Sequence, residues 1–289
     1  MGGAIPIINA IQSPLIANHI EQMMGIVNGT TNYILTRMAA EGAEYETVLK
    51  DEKRLGLAEP DPTADVEGYD AAYKLSIAGS LAFHSRVKVE NVYREGITKV
   101  SAEDIAFGRE MGYVLKLLAI GKDNGDSIEA RVHPVFMPAD HPLARVDGSL
   151  NAVYLYGHSF KDMMLEGRGA GDAPTASAIV GDIIQAAQNA VHPMPYLRED
   201  PLPVADDWQS KYFIRVKAKD APGVLAEVAG LLAAEGISIS TMMQKGAEPG
   251  GKATLILITH VAPEKAVQRA IKAFNPEICQ VENMIRVEG

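Results

Sequence analysis

The chain has 289 residues, 47% hydrophobic and 22% charged, the composition of an ordinary soluble globular protein long enough for one large core or two domains. A net charge of -10 argues against general nucleic-acid binding, which wants a basic stripe, and no apolar run approaches the roughly 20 residues needed to cross a bilayer. The single cysteine, Cys279, has no disulfide partner within the chain and no secretory leader pattern opens it, so a reducing cytoplasm is the expected location and the thiol is expected to be buried and inert.

The chain begins Met1-Gly2-Gly3-Ala4-Ile5-Pro6-Ile7-Ile8, two glycines running straight into apolar residues with no polar lead. Glycine pairs commonly follow a strand and admit close backbone approach, so the start reads as cut from something longer. Residues 5–20 predict a short helix ending near Ser13-Pro14, and Ile20 to Val27 a strand. Asn28-Gly29-Thr30-Thr31 then forms a glycine turn with two hydroxyls at a helix start. Free N–H groups and hydroxyls placed there suit a bound carboxylate, and they serve equally well as plain caps. A further helix is expected over Tyr45 to Leu55.

The stretch from Gly56 to Lys74 gathers acidic groups and one amine around a proline-kinked turn. Pro60 and Pro62 disfavour helix before them, so Glu59 and Asp61 belong on extended or turning backbone. Thr63 or Asp65 is then expected to cap a helix, with its body over Val66 to Phe83. On that helix Asp70 and Lys74 lie one turn apart on one face, with Glu67 one turn before Asp70. Spacing alone leaves two readings open. One is a surface ion pair worth a few tenths of a kcal/mol; the other is a lysine held beside a carboxylate as proton donor to a carbonyl oxygen.

Downstream, a strand is expected over Val87 to Val92, and Ser101 to Asp104 has capping-box form before a short helix. Strands follow at Tyr113 to Gly121, Ser127 to Phe136, Tyr154 to Phe160 and Asp162 to Gly167. Gly167-Arg168-Gly169-Ala170-Gly171 leads into a long helix, Thr175 to Ala190, with Pro174 expected at its first position. The spacing lacks the third glycine of a dinucleotide fingerprint, which argues against a self-sufficient Rossmann unit but leaves a glycine turn that a cofactor could lie against. His84, His133, His141, His158, His192 and His260 form no ligand spacing, so no metal site is expected. The methionine pairs 163/164 and 242/243 read as core.

Pro193, Pro195, Pro201 and Pro203, mixed with acidic residues, mark 193–211 as a linker that Trp208 anchors to a domain surface. It separates a first domain, 1–192, from a second, 212–289. The second reads strand Tyr212 to Ala218, helix Val224 to Glu235, strand Ile237 to Gln244, strand Ala253 to His260, helix Pro263 to Phe274 and strand Gln280 to Val287. That βαββαβ order is the ferredoxin-like plan. The fold class expected for the whole chain is therefore α/β (α+β), a mixed sheet with helices followed by a βαββαβ unit.

With Asp220-Ala221-Pro222-Gly223 at its first turn, the second unit resembles an ACT domain, the amino-acid-sensing module of biosynthetic enzymes. The free amides beside Gly223 would suit an effector's carboxylate and Asp220 its ammonium, although an Asx-type turn explains Asp220 as well. The first domain resembles the catalytic domain of homoserine dehydrogenase through four motifs in one order: Gly2-Gly3-Ala-Ile-Pro-Ile-Ile, Asn28-Gly-Thr-Thr-Asn-Tyr-Ile-Leu, Glu59-Pro-Asp-Pro-Thr-Ala-Asp65 through Asp70-Ala-Ala-Tyr-Lys74, and Gly169-Ala-Gly171-Asp-Ala-Pro-Thr. The resemblance implies NAD(P)H-dependent interconversion of L-aspartate 4-semialdehyde and L-homoserine, on the route to threonine, methionine and isoleucine. It places Lys74 and Asp70 on the catalytic pair and Glu59 and Asp65 on substrate-binding carboxylates, with Gly29 and Thr30 lining the same pocket. Gly2, Gly3 and Gly171 would contribute to a partial cofactor site. Threonine is the effector the family leads one to expect, and a homo-oligomer is expected because ACT domains commonly pair side by side.

The sequence departs from the family in two ways. Leu57 stands where family members often have a tyrosine, which would remove one hydroxyl from the pocket. The family's N-terminal Rossmann domain, with a second active-site lysine and a carboxylate ligand for a monovalent cation near the Gly-Gly segment, has no counterpart in this sequence. The chain alone is accordingly expected to bind NAD(P)H poorly and to turn over negligibly. The alternative is a non-catalytic regulatory or assembly subunit that keeps the amino-acid sensor.

Overall fold

The computed structural model describes residues 2–54, 59–188, 196–246 and 251–288. Leu57, His192, Pro193, Pro195 and most of the loop after Gly246 lie outside them. Two compact units emerge, one of residues 1–109, 114–134 and 139–206, the other of 110–113, 135–138 and 207–289. Residues 196–206 run along the first unit: Arg198 N–H donates to His84 O, Leu202 N–H to Ser85 Oγ and Ala205 N–H to Ile128 O.

In the first unit, helix α1 (Ile7–Gln12) leads to strand β1 (Ile20–Ile26), followed by α2 (Gly29–Glu41) and α3 (Tyr45–Arg54). Short α4 (Thr63–Val66) and long α5 (Tyr69–Ala82) precede β2 (Tyr93–Arg94), α6 (Ala102–Glu110), β3 (Tyr113–Asp123) and β4 (Ile128–Pro138). The hairpin β5 (Leu150–Gly157) and β6 (Lys161–Arg168) and helix α7 (Asp172–Ala187) complete it. The sheet order is β6-β5-β1-β3-β4, with β2 beside β4. Because β5 is antiparallel to both β1 and β6, with Ile26 opposite Ala152 and Leu150 opposite Arg168, the end of β1, the start of β5 and the end of β6 meet at one edge of the sheet. That edge is where α2 starts.

The single helix expected from Val66 to Phe83 is interrupted. Glu67 and Gly68 separate α4 from α5, Gly68 having φ 78 in the left-handed region. The carbonyls that would continue the helix are taken by other donors: Val66 O accepts from Ile97 N–H at 2.8 Å and Glu67 O from Arg94 at 2.5 Å. Gly96 packs so closely on Val66 O that a Cβ there would sit 2.2 Å away. Glu67 is thus off the Asp70 face, and its carboxylate accepts from Thr98 instead. Nor does Thr63 or Asp65 cap α4. Asp61 accepts from both the Thr63 amide, at 3.1 Å, and its hydroxyl, at 2.6 Å.

Three other expectations are corrected. Val87 to Val92 forms no strand, since Val87 N–H donates to Ser80 Oγ and its carbonyl accepts from Ser76 Oγ, leaving neither for a ladder; a 3-10 turn at Val89–Asn91 and the two-residue β2 follow. Helix α7 begins at Asp172, so Pro174 is its third residue, where a missing N–H still breaks no helical bond. The methionine pairs are not core. Met163 and Met164 are half-buried and Met242 is exposed, because β6 and β8 have a sheet neighbour on one side only. The capping box at Ser101 and Asp104 forms as expected, each side chain accepting from the other's amide.

The second unit is β7 (Gln209–Lys219), α8 (Val224–Ala234), β8 (Ile239–Lys245), β9 (Lys252–Thr259), β10 (Ala262–Pro263), α9 (Glu264–Lys272) and β11 (Cys279–Val287). The strand order β11-β7-β9-β8, antiparallel throughout, is the ferredoxin-like arrangement. Its core joins Val216, Val228, Leu232, Leu257, Val267 and the free thiol of Cys279, whose ionisation burial pushes up. Within it lies a buried ion pair: Arg286 donates through Nε and Nη2 to Glu264 at 3.1 and 2.5 Å. Burial alone would push the Glu264 carboxyl up. The hydrogen bonds and charge of Arg286, with hydrogen bonds from Gln268 and Tyr212, outweigh that and hold it below the usual carboxylate range.

Removing one partner of such a pair strands a charge. Arg286→Met is expected to lower the unfolding free energy by about 3–5 kcal/mol in urea titrations, and adding Glu264→Leu to recover most of the loss. The carboxyl titrates lower in the folded chain than in the unfolded one. The pair's contribution is therefore fully present above the ordinary glutamate range and is lost as pH falls through the depressed value. An Arg286→Met variant as stable as the parent would contradict this.

Candidate active site

The edge of the first sheet encloses a cavity of about 420 Å³ whose walls include Asn28, Gly29, Thr30, Asp65, Asp70 and Lys74. Asn28 organises it. Its backbone is extended, as a helix-capping residue's should be, and its Oδ1 accepts from Thr31 N–H at 3.0 Å. With the oxygen so engaged, the Nδ2 group is free to donate to Asp65 Oδ1 at 2.6 Å and to Asp70 Oδ2 at 2.9 Å. One buried amide thus caps a helix and tethers two carboxylates.

Lys74 completes the row. Its Nζ donates to Asp70 Oδ2 at 2.7 Å and to the carbonyl of Val27 at 2.8 Å. The two side chains are 23% and 31% exposed, so the pair by itself adds little to stability and its value is positional. An ammonium has three donors, and two are committed. Among the described residues the third has no partner, which leaves it for a ligand oxygen.

Gly29 and Thr30 supply the helix start, where the first-turn amides have no partner within the helix. Gly29 is required there: a Cβ would lie 2.9 Å from Ser149 O, on the loop leading into β5. Arg168, from the end of β6, lies in the same wall, giving the cavity a side suited to an anion. Glu52 of α3 also lines it, buried and with its carboxyl pushed up, first by burial and then by Asp51, with Arg37 pulling the other way.

The other expected site residues stand elsewhere. Glu59 is exposed and outside the cavity wall, next to residues 55–58, which lie outside the described chain. Gly3 lines a neighbouring cavity of about 510 Å³ with Asn9, Gln12, Ser177 and Asp182. Its backbone, φ 54, is pressed on Arg168 and Gly169, with Ala4 N–H donating to Arg168 O at 3.1 Å. Gly2, φ 72, precedes it, and Gly171, φ 115, starts α7. In the second unit Gly223, φ 91, starts α8, and Asp220 accepts from Gln244 at 3.4 Å. Among the described residues no His, Cys, Asp and Glu cluster is placed to hold a metal ion, and no helix is long and apolar enough to cross a membrane. Sequence reading missed the tether formed by Asn28, whose signal was an Asn-Gly pair at a helix start.

A polar pocket built around a lysine with one uncommitted donor, on a chain that also carries a βαββαβ unit, is the layout of a metabolic enzyme acting on a small polar molecule. A family model described as homoserine dehydrogenase matches residues 6–184, and an ACT domain model matches residues 212–277. Homoserine dehydrogenase of Corynebacterium glutamicum is 42% identical over 300 residues, spanning 100% of this chain and 67% of that protein. The crystal structure of a homoserine dehydrogenase from Thiobacillus denitrificans matches with a TM-score of 0.88 at 40% identity, covering 99% of this chain and 68% of that one. A hyperthermophilic archaeal homoserine dehydrogenase mutant in complex with NADPH matches with a TM-score of 0.57 at 29% identity, over 68% of this chain and 56% of that one. The chain belongs to the homoserine dehydrogenase family.

Asn28 allows a test of the tether. Asn28→Ala, losing cap and tether together, should lower the unfolding free energy by about 1–2 kcal/mol. Asn28→Asp keeps the capping oxygen but sets a third carboxylate against Asp65 and Asp70. Its melting temperature should fall further behind the parent's at low salt than at high salt, because ions screen the like charges. A deficit independent of salt would show that the two aspartates do not meet at Asn28.

Proposed function

We propose that the cavity is the substrate site for interconversion of L-aspartate 4-semialdehyde and L-homoserine. The observation that carries this is Lys74, held by Asp70 and the Val27 carbonyl with one N–H to spare in a polar pocket. In the reducing direction that N–H points its proton at the carbonyl oxygen of the aldehyde. The proton moves from Nζ to the oxygen as negative charge develops there, and Asp70 keeps the ammonium in place before transfer. In the oxidising direction the neutral amine takes the hydroxyl proton back. Asp65 and Glu59 are the carboxylates proposed for substrate binding, while the amides of Gly29 and Thr30 suit its carboxylate.

A nicotinamide cofactor, when bound, supplies or accepts the hydride at the substrate's reacting carbon. The cavity beside Gly3, lined by Asn9 and Gln12 of α1 and by Ser177, Ala178 and Gly181 of α7, suits the edge of such a group. Gly2 and Gly171 flank it in sequence. A monovalent cation near Gly2 and Gly3, with an incomplete set of ligands in this chain, belongs to the same reading.

On this reading residues 1–192 form the catalytic and dimerisation domain of a cytoplasmic homo-oligomer in threonine, methionine and isoleucine biosynthesis, and residues 212–289 a regulatory domain joined to it through 193–211. Asp220 and Gly223 would hold an amino-acid effector of the threonine kind. The catalytic claim is tested by Lys74→Met in a fusion of this chain to the nicotinamide-binding domain of a relative, assayed for oxidation of L-homoserine with NAD(P)+, because the chain alone is expected to turn over negligibly. The rate should fall about 10²–10⁴-fold while L-homoserine binding by calorimetry and the melting temperature stay near the parent's. A variant that keeps more than about a tenth of the rate would remove Lys74 from proton transfer.

A further inference from the structure

A lysine that is not part of the cavity wall holds together two segments that are. Lys116, on β3, is 1% exposed, and its ammonium donates to Val146 O at 2.6 Å, Asp147 Oδ1 at 3.2 Å and Asn32 Oδ1 at 3.3 Å. Those contacts use all three of its donors. Asn32, buried on α2, donates in turn through Nδ2 to Val146 O at 3.0 Å and Leu150 O at 3.1 Å, and Gly148 N–H donates to Thr36 Oγ1 at 3.1 Å. The loop from Val146 to Leu150 is thus strapped along the first two turns of α2.

The strap bears on the cavity at both ends. Ser149, within the loop, lines the cavity, and its carbonyl stands 2.9 Å from the place a Cβ on Gly29 would take. On the helix, Asn32 N–H donates to Asn28 O at 3.3 Å, so the residue that Lys116 grips is bonded to the one that tethers Asp65 and Asp70.

A buried ammonium is a costly way to support a loop. Burial pulls its titration below the usual lysine range, with Asp147 opposing the pull, and the Asp147 side chain is itself 66% exposed. The pair is not closed off from water on both sides, and an apolar side chain of similar length would burden the fold less. Such a side chain would not supply three donors in set directions, which hold a loop in register where an apolar contact lets it slide.

We infer that Lys116 is a positioning residue of the substrate site: through Asn32 and the loop from Val146 to Leu150 it sets Ser149 against Gly29 and keeps the first-turn amides of α2 open to the substrate. The inference rests on the cavity being the L-homoserine site.

The test is Lys116→Met in the full chain, a side chain of similar length without donors, with L-homoserine affinity read by calorimetric titration and stability by thermal melting. Affinity should fall about tenfold or more. The melting temperature should stay within about 5 °C of the parent's or rise, because the substitution strands no buried charge. A residue serving stability alone would give the opposite split, a lower melting temperature with unchanged affinity in the folded chain. Thr36→Val, which keeps the shape and removes the acceptor for Gly148 N–H, should weaken binding in the same sense by about threefold or more. Unchanged affinity in Lys116→Met, or in Thr36→Val if Lys116→Met does not fold, overturns the inference and leaves the substrate assignment standing. No binding of L-homoserine by the parent overturns the assignment, and the inference with it.

Discussion

The site depends on the side-chain amide of Asn28. Its oxygen closes the start of α2 on Thr31 and its nitrogen joins Asp65 to Asp70, so the end of β1, the start of α2, α4 and α5 are fixed to one another through a single group. Lys74 follows from this arrangement. Asp70, steadied by Asn28, accepts from the ammonium with the same Oδ2, and the Val27 carbonyl, one residue before Asn28, takes a second N–H. The Lys74 amine is thereby referenced to the strand end and not merely to its own helix, as the proposed proton transfer to a particular atom requires.

The parts of this arrangement legible in the sequence were the local ones. Asp70 and Lys74 are four residues apart in a helix-forming segment, and helix geometry alone brings them together. The βαββαβ unit was legible because its apolar runs alternate at strand and helix periods between glycine and proline turns, and those periods match how it packs. The tether at Asn28 was not legible, since it joins residues 37 and 42 positions away and pattern reading has no term for such a contact. The break at Gly68 was hidden for a related reason. Nothing local stops the helix there; Ile97 and Arg94, some thirty residues downstream, take its carbonyls.

Glu52 shows a further limit. On sequence it is one more acid in Tyr45–Arg54, a helix crowded with charge, and the natural reading is a solvated face. Only the packing of α3 against α2 turns that residue inward while Asp51 and Lys53 beside it remain at or near the surface. The buried pair Arg286 and Glu264 in the second unit offers a contrast. There the fold brings both members into hydrogen-bond contact and the carboxyl is held below the usual carboxylate range, whereas at Glu52 the Arg37 guanidinium stops 4.0 Å away and burial pushes the carboxyl up.

The interruption between α4 and α5 has a consequence for anyone reshaping this protein. On an unbroken helix, Asp65 and Asp70 would be turned about 140° apart, too far round the cylinder for one amide to reach both. The left-handed step at Gly68 reorients the axis between them so that both acids converge. A redesign that regularised this segment for stability, filling Gly68 with alanine and returning the carbonyls to the helix, would satisfy every rule of helical propensity and scatter the acids. The irregularity serves as an alignment device, and straightening it would undo the convergence of the two acids on Asn28.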